Sequence, residues 1–313
     1  MESIKSILVG LDQTEVDKTL IEFASFISLS SHVKSIYFLN VLRNLSVPHD
    51  ILEEFPDLIN NALAERKKQL EEYVNKYIKV NPDVEIEIIV KSGSGLKTFL
   101  SEINKFDIDL VVIGRKDSPK MSGILVQRLA RRAGTNLLIV PEGGENNLKD
   151  LNKDKKVIVP ADFSKHSSLA LEHAIEIATI SKSKVEIICQ HVYSVPIGYH
   201  YSGKSHEEFA EILKQNAEKY YDSFIKNVDA KGIKITPVCT LDEDDDLVEN
   251  IYKLALDIDA DGIIFGAKGI SAVSALFLGS IAEKMIKLDT KFPLMVVRRK
   301  GENATILDYI KEM

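Results

Sequence analysis

Short apolar runs alternate along this chain with longer stretches in which apolar positions recur at helical spacing. Residues 4–11 form the first run, followed by Asp12, Thr14 and a helical pattern through Ser30. Residues 33–41 then read as a strand, 51–79 as a charged amphipathic stretch after a loop at Pro48, and 84–90 as a strand. A helix near 96–105, the run 110–114, a helix near 123–133 and the run 137–140 close the series. Parallel neighbours need a crossover between them, and crossover helices bury both sheet surfaces. Five strands separated by helices therefore predict a parallel sheet covered on both faces.

The same order returns in the second half, with strand-like runs at 156–160, 185–192, 233–238, 262–266 and 294–297. Leu8-Val-Gly-Leu-Asp-Gln-Thr matches Ile158-Val-Pro-Ala-Asp-Phe-Ser, which sets Asp12 and Asp162 apart by 150 residues. Between the halves, the polar, glycine-bearing segment from Pro141 onward has no apolar period and suits an exposed connection. The expected fold is α/β: two tandem doubly wound, Rossmann-like domains, each on a five-stranded parallel sheet. The expected domains are 1–142 and 154–300, with a tail at 301–313 whose Ile306, Leu307, Tyr309 and Ile310 suit a short docking helix.

Composition narrows the partners. The 313 residues suit two domains, and 45% hydrophobic with 28% charged residues supply packed cores. A formal net charge of −7 without a long Lys/Arg run disfavours nucleic acid and anionic membrane surfaces, both of which need a concentrated positive field. MESIKSILVG lacks the layered character of a secretory signal, and no apolar stretch is long enough for a membrane helix. Cys189 and Cys239 lie in strand-like runs, which fits reduced thiols rather than a disulfide framework. The expectation is a soluble, cytoplasmic protein.

The chemistry concentrates late in the second half. The strand ending at Gly266 runs into Gly266-Ala-Lys-Gly269, nine further residues, and then Gly279-Ser280 opening a helix that carries Ile281, Met285 and Ile286 on one face. The first N–H groups of a helix have no intrahelical acceptor and carry partial positive charge, so an anion fits there. Glycine permits positive φ and close approach of main chain to phosphate oxygens, and the Ser280 hydroxyl can donate to the same oxygens. The pattern Gly-x2-Gly-x9-Gly-Ser/Thr resembles the ATP-binding signature of the universal stress protein family, whose fold is the adenine nucleotide alpha hydrolase-like one. The resemblance extends as two copies over nearly the whole chain. It implies that Asp162 and Val192 lie at the adenine end of a site with Pro160 and Ala161. Gly266, Lys268, Gly269, Gly279, Ser280 and Ile281 would lie along the phosphates. The implied cofactor is ATP, with or without Mg²⁺. Family domains commonly pair through the last strand, which implies pairing of the two halves through 137–140 and 294–297, and allows a homodimer.

Each position also has a plainer reading. A strand-end Asp is often a turn or cap residue, Val192 is ordinary core, and His191 is a strand-end polar residue rather than a metal ligand. Lys268 suits a solvated surface as well as a phosphate. The acidic run Asp242 to Asp246 suits a helix start better than a cation site. Neither a Gly-x4-Gly-Lys-Ser/Thr loop nor a Gly-x-Ser-x-Gly elbow is present, so binding is favoured over a slow ATPase or a nucleotide-dependent enzyme. A scaffold that binds no nucleotide is the third reading.

The first half departs from the signature. Aligning Gly123 with Gly279 leaves nine positions from Gly114 to Gly123 against thirteen from Gly266 to Gly279. Asp117 then replaces Gly269 and Ile124 replaces Ser280. A carboxylate repels a triphosphate and an aliphatic side chain offers no donor, although Arg115 and Lys116 offer partial compensation. Weak or absent ATP binding is expected there, with Asp12 as a cap.

Overall fold

The computed structural model describes residues 4–30, 32–42, 49–115, 122–142, 153–181, 183–269, 278–288 and 291–300. Asp117, Lys116, most of the connection after Pro141 and the tail at 301–313 lie outside the described residues. The chain divides into two compact units, residues 1–148 and 149–313.

The first unit runs β1 (Ser6–Gly10), α1 (Val16–Ser30), β2 (Ser35–Leu42), α2 (His49–Glu54), α3 (Leu58–Tyr77), β3 (Glu85–Ser92), α4 (Gly95–Lys105), β4 (Leu110–Arg115), α5 (Ser122–Arg132) and β5 (Asn136–Pro141). All pairings within it are parallel, in the spatial order β3-β2-β1-β4-β5. Ile7, Leu8 and Val9 of the central β1 are fully buried, whereas Glu85, Ile86 and Glu87 of the edge strand β3 are exposed. The continuous apolar run of β1 and the alternating run of β3 thus report central and edge positions. The charged amphipathic stretch 51–79 falls in two helices, α2 and α3. Pro56 cannot donate to a helical ladder and disfavours helical geometry in the residue before it, so α2 closes with Phe55 N–H on the Ile51 carbonyl at 2.8 Å and α3 starts afresh.

The second unit runs β6 (Lys155–Pro160), α6 (Lys165–Ile180), β7 (Val185–Tyr193), a 3₁₀ turn (Ile197–Ser202), α7 (His206–Ile225), β8 (Lys234–Leu241), α8 (Leu247–Asp257), β9 (Gly262–Gly266), α9 (Ser280–Lys287) and β10 (Leu294–Val297). Its order is β8-β7-β6-β9-β10, again parallel throughout. Each unit is therefore a doubly wound α/β sheet. The duplication reaches single dihedrals: Gln13 and Phe163 have φ of 61° and 60°, and Asp107 and Asp259 have 49° and 52°. Asp109 accepts the N–H of Lys5 and Ser6 at 2.8 and 3.0 Å, and Asp261 accepts that of Lys156 at 2.9 Å. In both units an aspartate beside the fourth strand satisfies main-chain donors at the start of the first.

Two buried titratable groups set opposite pH responses. Burial pushes the Asp17 carboxyl up to about 6, although its oxygens accept the N–H of Asp12 and Gln13. Burial pushes His173 of α6 down to about 4, so at neutral pH it is uncharged and its 3.9 Å approach to Glu176 is not an ion pair. The fold favours protonated Asp17, and that contribution is present below pH ~4 and lost as pH rises through about 6. The fold favours neutral His173, and that contribution is present above pH ~6.5 and lost as pH falls towards 4. Each shift corresponds to about 3 kcal/mol of pH-dependent stability at most. Thermal unfolding between pH 4 and 8 checks this: Asp17→Asn flattens the alkaline-side loss and His173→Leu flattens the acid-side loss. Profiles parallel to wild type in both variants would refute the burial account.

Candidate functional site

In the second unit β6 lies between β7 and β9, and the chain leaves the sheet in opposite directions on either side of it. Such a reversal opens a crevice beyond the carboxyl ends of the strands. A cavity of about 510 Å³ occupies this place, within the usual range for a small-molecule site. Pro160, Ala161, Asp162, Val192, Gly266, Lys268, Gly269, Gly279, Ser280 and Ile281 all line it, so the ten positions singled out from the sequence converge on one cavity.

Its walls are fixed by main-chain contacts. The Ala161 N–H donates to the Gln190 carbonyl at 2.8 Å, and His191 Nδ1 lies 2.8 Å from the Ala161 carbonyl, which makes that nitrogen the protonated one. Phe163 stacks on the His191 ring at 4.5 Å between centroids. Asp162 is no helix cap; its Oδ1 accepts the Ser164 N–H at 3.1 Å, and Ser164 in turn caps α6 by accepting from Ser167 at 3.2 Å. Asp246 caps α8 by accepting from Glu249 at 3.3 Å, the plainer of the two roles open to the acidic run.

The glycines serve close packing rather than positive φ. Gly279 has φ −60° and ψ 149°, and the described glycines with positive φ are Gly93, Gly203 and Gly232. A Cβ on Gly266 would stand 2.7 Å from the His166 carbonyl oxygen, and one on Gly269 would stand 2.7 Å from Asp162 Oδ2. On Gly279 it would meet Lys268 Cα at 3.3 Å and Gly269 N at 3.4 Å, where the Gly279 N–H donates to the Ala267 carbonyl at 2.7 Å. The segment 267–269 thus lies directly on the start of α9. No side-chain cap covers that start, so the N–H groups of Ser280, Ile281 and Ala282 keep the donor capacity a helix end leaves unspent.

Gln190 went unnoticed in the sequence. It is fully buried and lines the cavity, with Nε2 donating to Thr240 Oγ1 at 3.0 Å and to the Asn250 carbonyl at 3.2 Å, while Oε1 has no partner. The signal was an amide inside the apolar run of β7.

The first unit has a cavity of about 500 Å³ in the corresponding place, lined among others by Gly10, Asp12, Val41 and Gly114. The Leu11 N–H donates to the Leu39 carbonyl at 2.9 Å, which makes Leu39 the counterpart of Gln190 and Asn40 that of His191. Asn40 Nδ2 donates to the Leu11 carbonyl at 2.8 Å, as His191 does to Ala161. Asp12 accepts the Thr14 hydroxyl at 2.6 Å, and Asp17 holds the neighbouring main-chain donors. Gly123 stands in open space, with Gln127 Nε2 the nearest atom to an added Cβ at 3.9 Å, and Ile124 is half exposed.

Known proteins agree with this duplication. The Universal stress protein family matches residues 3–141 and again residues 154–298. The chain is 30% identical over 160 residues to universal stress protein MJ0577 of Methanocaldococcus jannaschii, covering 47% of this chain and 96% of that one. A second protein of that organism, universal stress protein MJ0531, is 30% identical over 149 residues, covering 47% of this chain and 84% of its own length. Among solved structures, a universal stress protein from Archaeoglobus fulgidus superposes with a TM-score of 0.58 at 17% identity, covering 95% of this chain and 97% of that one. At that identity the likeness concerns the fold. With two consecutive matches spanning most of its length, the chain belongs to the Universal stress protein family, as a tandem of two such domains.

Proposed function

We propose that the second domain binds ATP in the cavity beyond β6, β7 and β9, and that occupancy alters conformation or association in a stress response. The observation that carries this reading is the convergence of all ten signature positions on that one cavity. Asp162 and Val192 stand at its β6 and β7 side for the base. The uncapped start of α9, Ser280 and the bare main chain at Gly269 and Gly279 stand at the other side for the phosphates. Lys268 adds positive charge there. Among the described residues no group of three His, Cys, Asp or Glu is arranged to hold a metal ion. In this reading Mg²⁺ would enter on the phosphates, as it usually does.

The segment 267–269 rests on Gly279, so a phosphate that engages both redistributes their contacts. That coupling supplies a route from occupancy to conformation. The proposal extends to pairing of the domains through 137–140 and 294–297 and to assembly of two chains, since apolar edge strands left open are an association hazard. It also extends to the cytoplasm, where the unbridged thiols of Cys189 and Cys239 stay reduced. No helix among the described residues is long and apolar enough to cross a membrane.

Calorimetry on the purified chain, with mass analysis of nucleotide released on denaturation, tests the reading. One ATP per chain is expected. Gly279→Val removes binding because its side chain displaces 267–269, whereas Gly123→Val, in open space, leaves affinity unchanged. Ser280→Ala weakens binding roughly five- to tenfold, the loss of one hydrogen bond worth about 1 kcal/mol. Circular dichroism establishes that each variant is folded. A wild-type chain that takes up no ATP, or equal losses at Gly123 and Gly279, would overturn the proposal.

A further inference from the structure

Between its second strand and the long helix that follows, each domain carries a short element that leaves apolar side chains in solvent. In the second domain this element is the 3₁₀ turn. Ile197 is 93% exposed and Tyr201 88%, above every other large apolar or aromatic side chain among the described residues. A Cβ built on Gly198 would meet Tyr201 Cδ2 at 3.8 Å, so the Tyr201 ring lies against the residue that follows Ile197. The turn is firmly built. The Tyr199 N–H donates to the Pro196 carbonyl at 3.0 Å and the Ser202 hydroxyl to the Tyr199 carbonyl at 2.6 Å. Gly203 closes the turn at φ 73°, with its N–H on the His200 carbonyl at 3.2 Å. Tyr199 ties it to α7, its ring 5.4 Å from that of His206 and 6.4 Å from that of Phe209. Single exposed apolar residues are ordinary, but a pair fixed on an ordered turn loses little freedom when a partner covers it. In the first domain the corresponding element is the corner between α2 and α3. Phe55 is 52% exposed there, Leu58 43% and Ile51 37%. The Phe55 N–H on the Ile51 carbonyl at 2.8 Å and the Leu58 N–H on the Phe55 carbonyl at 3.1 Å hold the three together across Pro56.

The two elements differ in charge. Residues 50–57 contain the carboxylates of Asp50, Glu53, Glu54 and Asp57 and no cation, whereas residues 196–206 contain Lys204, His200 and His206 and no carboxylate. The acids that come next, Glu207 and Glu208, are drawn to the start of α7, where they accept the hydroxyl and the N–H of Ser205 at 2.9 and 3.0 Å. We infer that these elements are the two halves of a self-association contact, in which the α2–α3 corner of one chain receives the 3₁₀ turn of a second copy. Apolar anchors meet at the centre, and Lys204 with the imidazole N–H groups faces the carboxylates around them, an apolar middle inside a polar rim. Like surfaces pair worse, since two corners would set carboxylate against carboxylate and two turns would leave both lysines without a counter-charge. With two or three anchors on each side, the contact falls in the weak, concentration-dependent class. It supplies a surface for the assembly of chains proposed above and does not rest on ATP binding in the second domain.

Sedimentation velocity of the full-length chain over a concentration series tests the contact. Reversible association of the wild type is expected. Ile197→Ser with Tyr201→Ser removes the anchors of the turn, and Phe55→Ser with Leu58→Ser those of the corner. Each double variant weakens this association about a hundredfold or more, as the loss of two anchors requires. A mixture of the two double variants is the decisive arm. One supplies an intact corner and the other an intact turn, so the two associate one to one although neither recovers the contact alone. Circular dichroism and ATP calorimetry on each variant separate loss of this contact from loss of the fold or of the nucleotide site. A wild type that stays monomeric at every concentration, a double variant that associates as the wild type does, or a mixture of folded variants that fails to recover the contact would each overturn the inference. ATP uptake by a chain that stays monomeric would leave the nucleotide reading standing.

Discussion

Three α-carbons in the second domain sit so close to their neighbours that a side chain there would force something to move, and the geometry of its cavity depends on that. At Gly266 the obstacle is the main chain of His166, at Gly269 the carboxylate of Asp162, and at Gly279 the main chain of residues 267–269. Each contact joins a different pair of elements: β9 to the start of α6, the loop to the end of β6, and the start of α9 to the loop. Bare main chain on both sides keeps the helix start within reach of the loop, and unspent amide donors gather in a small volume as a result. Packing of this kind is steep in distance, since interiors near crystal density give little ground before neighbours must move. The same constraint acts on Gly114 in the first domain, where an added Cβ would stand 2.8 Å from Val16 Cγ1, but it is absent at Gly123.

The two domains therefore share a scaffold and differ in what it presents. Asp109 and Asp261 satisfy the same main-chain donors, and the left-handed residues fall at matching places. Those features concern the sheet and its connections. Divergence gathers at the carboxyl ends of the strands and just beneath them. Where Gln190 ties β7 to Thr240 of β8 and to the Asn250 carbonyl of α8, the first domain instead joins β3 to α4 through Lys91 and the buried carboxylate of Glu102. One link is a neutral amide whose Oε1 is buried without a partner, and the other is an ion pair between residues that do not line the cavity. A scaffold repeated with its loops and strand ends altered is how one fold comes to hold different ligands.

Most of the architecture was legible because it rests on periodicity. Apolar runs and helical spacing place all ten strands, with ends shifted by at most three residues, because fraying strand ends carry little apolar signal. The break at Pro56 divides a stretch whose charged amphipathic pattern runs on through it. The candidate site was legible where chemistry sits in local spacing, as from Gly266 to Ser280. It was illegible where a role comes from distant partners. Nothing near Gln190 in sequence reveals that Thr240 and Asn250 fix its amide, and nothing near Asp17 reveals that burial will raise its carboxyl. The role of the glycines was misread for a related reason: positive φ is a property of one residue, whereas crowding by His166 or Asp162 is a property of the folded chain.

The contrast between the cavities follows from where donors and acceptors come from. Main-chain amides at a helix start are donors whatever the side chains, so a loop long enough to fold back on that start yields a site suited to anions. Four fewer residues separate Gly114 from Gly123 than separate Gly266 from Gly279, so the connection that leads to the helix start is shorter in the first domain. The first cavity is lined by side chains from the turn after β1, from α1, β2 and α3, among them the carboxylates of Asp12 and Asp17, the amide of Asn40 and the guanidinium of Arg66. The sheet beneath has the same strand order in both domains, so the two cavities differ in the side chains and connections set at its carboxyl edge.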